Sequence, residues 1–109
     1  MIEKWRYLVE PVLNNAVAPI AWDSIKNLPL ILFEGQETVL FCLESELKGG
    51  KSLQIIAGAG KMNEINQLYE QAETYAKQHG YKTISYVGRK GWLKTHGFKI
   101  EAVVGMKEL

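Results

Sequence analysis

Residues 52–87 read SLQIIAGAGKMNEINQLYEQAETYAKQHGYKTISYV, and this succession of apolar run, paired glycines, helical period and second apolar run decides the fold. Ser52 to Ala57 is a short run of β-forming residues. Gly58 and Gly60 supply turn chemistry, and Asn63 is the expected N-cap of a long helix over 63–79, because its side chain can accept from the free amides of a first turn. Within that span Ile65, Leu68, Tyr69, Ala72, Tyr75 and Ala76 recur at the three-to-four spacing that gathers apolar side chains on one face. Glu64 in the first turn and Lys77 and His79 in the last complement the helix dipole. Gly80 offers the left-handed C-terminal cap. Thr83 to Val87 reads as the following strand.

Upstream, the pattern predicts strands near 30–34 and 38–45, separated by Gly35-Gln36 and followed by the Gly49-Gly50 pair, so that with 52–57 they form an antiparallel meander. Downstream, Lys90 to Thr95 reads as a short helix closed by Gly97, and 98–105 as one final strand. At the N-terminus Ile2, Trp5, Leu8, Val9, Val12, Leu13 and Ala16 keep helical spacing, while Pro11 removes a backbone donor and predicts a kink or break near Glu10. Between Pro19 and Pro29, the segment Ala21 to Asn27 is expected to make one or two helical turns that dock Trp22 and Ile25 and leave Asp23 and Lys26 wet. The expected architecture is one α/β (α+β) domain over 1–109, a mixed, mostly antiparallel central sheet flanked by helices.

Bulk properties narrow the function classes. With 109 residues and 47% hydrophobic content the chain can bury one core. Thirteen basic against 12 acidic side chains leave a formal charge of +1, which announces no nucleic-acid partner. The longest apolar stretch, Leu28 to Phe33, is far below the roughly 20 residues of a membrane span, and the first residues lack the pattern of a signal peptide. A lone cysteine, Cys42, makes no internal disulfide, so the expected home is the cytoplasm.

The segment Gly88-Arg89-Lys90-Gly91-Trp92-Leu93-Lys94-Thr95-His96-Gly97-Phe98 and the closing Lys107-Glu108-Leu109 resemble the corresponding stretches of short GNAT-like proteins (GCN5-related N-acetyltransferase fold) encoded by tailed bacteriophages and prophages. The likeness covers roughly the last 60 residues. It implies that 52–57 and 83–87 are neighbouring parallel strands that splay apart, with acetyl-CoA in the gap and its pyrophosphate at the N-terminus of the intervening helix. Free amides and the helix dipole give such a terminus its affinity for anions. The implied cofactor-binding residues are Ile56, Ala57, Gly58, Ala59, Gly60, Lys61, Met62, Asn63 and Arg89. Glu44, the carboxylate well inside the middle strands, is the implied base toward an amine. The acceptor would be a small molecule or a peptide. Two family features are missing: the polar anchor ahead of the glycines falls on Ile55, and the proton-donating tyrosine falls on Leu93. Those departures leave a second reading, a non-catalytic scaffold acting through a protein partner or a second copy of itself, in the virion or the host cytoplasm.

The remaining motifs are read from the residues. Tyr86 and Tyr81 are phenols suited to proton donation, and equally to half-buried packing. Cys42, between Phe41 and Leu43, is expected to be a small buried hydrophobe. Two histidines 17 positions apart and one cysteine make no metal site. Gly50-Lys51-Ser52 ends like a P-loop, but the glycine required five residues before Gly50 is Ser45. Arg89, Lys90, Lys94 and Lys99 gather positive charge that suits contact with a CoA phosphate or an acidic partner, and more readily a solvated helix face.

Overall fold

The computed structural model describes residues 2–14, 21–47, 50–87, 99–101 and 104–109. A 3-10 turn, Ile2–Trp5, leads into α1, Arg6–Asn14, and a short helix α2 spans Trp22–Ile25. The strands β1, Ile31–Glu34, β2, Val39–Leu47, and β3, Gly50–Ala59, follow. The long helix α3 covers Met62–Gln78, and β4, Thr83–Val87, β5, Lys99–Glu101, and β6, Val104–Glu108, complete the order. All six strands form one mixed, mostly antiparallel sheet in the order β1-β2-β3-β4-β6-β5. The β1-β2-β3 meander is antiparallel as expected, and β3 pairs with β4 in parallel across α3.

Helices cover both faces. On one, α3 lays Ile65, Leu68, Tyr69, Ala72 and Ala76 over Leu40, Cys42, Leu53, Ile55 and Ile84. On the other, Trp5, Val9, Leu13, Trp22 and Ile25 cover Val39, Phe41, Ala57 and Ala59. Each fully buried aliphatic side chain contributes roughly 1.5–3 kcal/mol of transfer free energy, so the two faces are comparable anchors. Two indoles fasten the second layer by their N–H groups: Trp5 Nε1 donates to Glu34 Oε2 at 2.6 Å, and Trp22 Nε1 to Glu3 Oε1 at 3.2 Å. Lys4 adds an ion pair to Glu34 at 2.9 Å.

Leu53 and Ile55 face α3, yet Ala57 and Ala59, of the same parity, face α1. The register explains the reversal. Phe41 stands opposite Ala57 and Cys42 opposite Ile55, so Ile56 is an extra residue in β3, a β-bulge.

Four expectations are corrected. Of the kink or break expected near Glu10, the break does not occur; α1 runs through Pro11, because the buried stripe Trp5, Val9 and Leu13 docks on the sheet and tertiary packing decides helix formation. The final strand is two, β5 and β6, with β6 lying between β4 and β5; Val104 to Glu108 pairs along the edge that β4 offers. The N-cap of α3 is Lys61 in extended conformation, with Asn63 already helical, because Gly60 at φ +126° turns the chain one step earlier. The third strand includes Gly58 and Ala59, which pair with Leu40 and Val39 and therefore belong to the sheet. As expected, α2 buries Trp22 and Ile25, Asp23 and Lys26 form an exposed ion pair at 3.2 Å, and Gly80 takes a left-handed φ of +76°. The expected helix at Lys90 to Thr95 lies outside the described residues.

Candidate functional site

The residues expected to hold a cofactor meet at the corner where β3 passes into α3. Only Gly60 and Lys61 connect strand to helix. A Cβ built on Gly60 would penetrate the carbonyl oxygen of Glu37 and both Oγ1 and Cα of Thr38. The glycine is thus required by close approach of the β1–β2 turn, where a ligand phosphate had been expected. The backbone amide of Lys61 donates to Thr38 Oγ1 at 2.9 Å. The hydroxyl of Thr38, fully buried, donates in turn to Glu64 Oε1 at 2.8 Å, and the Gln36 amide donates to Glu64 Oε2 at 3.1 Å. The ammonium of Lys61 pairs with Glu37.

A carboxylate therefore clasps the hairpin turn from the first turn of α3. The Thr38 hydroxyl holds the Glu64 carboxyl below the usual carboxylate range, helped by backbone donors at Gln36 and Glu37. The hydrogen bond from Lys61 to Glu37 raises the Lys61 ammonium. Both groups are charged at neutral pH. Met62, Asn63 and Glu64 supply the first-turn amides that lack intrahelical acceptors, as at every helix start; Met62 is 60% exposed.

Next to this corner the parallel pairing of β3 with β4 ends, one residue before β4 itself does. Parallel pairing runs from Ser52 with Thr83 to Ile55 with Tyr86 and stops there. Among the described residues, β3 from the Ile56 bulge to Ala59 has only its β2 partner, over four residues or roughly 13 Å of strand. Ile56 packs toward the α1 layer and Ala57 is buried. Tyr86 occupies the last parallel rung. Arg89 lies outside the described residues.

Glu44 is not brought to this corner. It stands opposite Leu53, five residues or roughly 16 Å along β3 from Gly58. Its Oε1 accepts from the Tyr81 hydroxyl at 3.0 Å and lies 3.8 Å from Lys51 Nζ, which also sits 4.5 Å above the Tyr81 ring. Burial, then the bond to Glu44, pushes the Tyr81 phenol up to about 12. That proton is committed to Glu44. Thr38 was missed as a functional position, since a threonine opening a strand carries no sign of a partner 26 residues away.

Elsewhere, Cys42 is buried and its thiol is pushed up by desolvation, as a small hydrophobe should be. A shallow depression of about 520 Å³ on the outer face of α3, lined by Gln67, Glu70, Gln71, Thr74, Tyr75 and Gln78, contains none of the expected site residues. Among the described residues no group of three or more His, Cys, Asp or Glu side chains is arranged to hold a metal ion, and no helix is long and apolar enough to cross a membrane. The chain matches no protein-family model, no curated protein and no solved structure.

Proposed function

We propose that this chain is a GNAT-like domain that acts as a protein-binding scaffold and does not use acetyl-CoA. The parallel pair β3 and β4 around α3, with pairing that ends at Ile55, supports the GNAT-like reading of the fold. The observation that carries the scaffold reading is the filled corner at Gly60 and Lys61. A pyrophosphate needs several convergent amides and a close backbone approach. Here the Lys61 amide is bonded to Thr38, the space before Gly60 is taken by residues 37 and 38, and two carboxylates, Glu37 and Glu64, stand beside it. A diphosphate entering there would displace internal hydrogen bonds and meet like charge. The absent family anchor and tyrosine, at Ile55 and Leu93, point the same way.

The contact surface is sought where apolar groups are left outside. Tyr7 is 71% exposed on α1, and Leu28 is 40% exposed just before β1. The strand β1, with Ile31, Leu32 and Phe33 half-buried, is an edge of the sheet. Apolar edges of this kind pair with other chains unless they are covered. Acetyl-CoA up to millimolar concentration is expected to leave the melting temperature unchanged, while light scattering is expected to show self-association or a stable complex with a partner. A ligand at 100 times its dissociation constant stabilises by about 2.7 kcal/mol, so a concentration-dependent rise in melting temperature would overturn the scaffold reading.

The acyltransferase reading keeps one observation in its favour, the end of β3–β4 pairing at Ile55 and Tyr86 beside the Ile56 bulge, which is where the implied cofactor gap would begin. Transfer of acetyl from acetyl-CoA to an amine acceptor by a monomeric protein is the outcome that would establish it.

A further inference from the structure

We draw no further inference here: the strongest candidate, the row of hydroxyls that Ser45, Ser52, Thr83 and Ser85 carry across β2, β3 and β4 on the sheet face away from α3, leaves the buried Ser45 Oγ and Thr83 Oγ1 without a hydrogen-bond partner, but nothing in the structure shows what covers it.

Discussion

The two ends of β3 solve the same problem with different chemistry. Near its start, Glu44 accepts from the phenol of Tyr81 at a rim shared with Lys51. Past its end, Glu64 accepts from the buried hydroxyl of Thr38 and from turn amides, and Lys61 closes the circuit. Both carboxylates look like candidates for catalysis or binding, and both are used to tie elements of the fold together. They differ in depth. The Thr38 hydroxyl is sealed from water, whereas the Glu44 side chain is 55% exposed. A hydrogen-bonded group that cannot fall back on water is the costlier one to disturb.

The contrast predicts an order of effects. Gly60→Ala is expected to be the most damaging substitution, destabilising by about 3 kcal/mol, since it combines strain at a left-handed φ with a clash against backbone. Gly80→Ala is its control. The same left-handed constraint applies there, but a Cβ meets nothing within 4 Å, so the expected loss is about 1 kcal/mol. Equal urea midpoints for the two variants would show that the turn at residues 37 and 38 does not press on Gly60.

Thr38→Val keeps the shape but strands the Lys61 amide and removes a donor from Glu64. It should cost about 1–3 kcal/mol by chemical denaturation. Tyr81→Phe, at the wetter end, should cost about 1 kcal/mol or less. If the Tyr81 variant proved the weaker protein, the ranking by depth would be wrong.

The smallest effects separate the two ends by pH. Glu64 is held below its unfolded value, so its contribution is present above the unfolded pKa of about 4.3 and is lost as pH falls through the folded value. Tyr81 is raised to about 12, so its contribution is present below the unfolded value of about 10 and is lost as pH climbs toward the folded one. Glu64→Gln should therefore flatten the acid arm of the stability profile, and Tyr81→Phe the alkaline arm. Denaturant midpoints measured from pH 3 to pH 11 would expose an exchange of arms, which neither assignment survives.

Much of the scaffold was legible because it rests on local signals. The period of Ile65, Leu68, Tyr69, Ala72 and Ala76 marked the buried face of α3, Gly80 marked its end, and the glycine-punctuated runs gave the meander. What was illegible depends on partners distant in sequence. No feature of 98–105 announces that Val104 leaves one strand to pair with Val87 in another. Proline chemistry pointed to a kink or break, and the docking of Val9 and Leu13 keeps the helix unbroken. At the candidate site the turn chemistry of Gly60 was legible, while Gly58 lies in the strand. A glycine does not say what approaches, and here the visitor is the chain itself at Glu37 and Thr38. Glu44 was singled out by its solitude in a strand run, a property of composition that carries no information about Tyr81.

The supernumerary Ile56 gives β3 an odd-numbered hinge between two hydrophobic layers. Trimming that single residue would make the strand regular without turning it over, since Ala57 would then follow Ile55 directly and alternation would keep the Ala57 and Ala59 methyls on the side of the tryptophans. A shortening by one at this place should therefore be far more forgiving than the same shortening elsewhere in β3, which would carry one stretch of the strand to the opposite face.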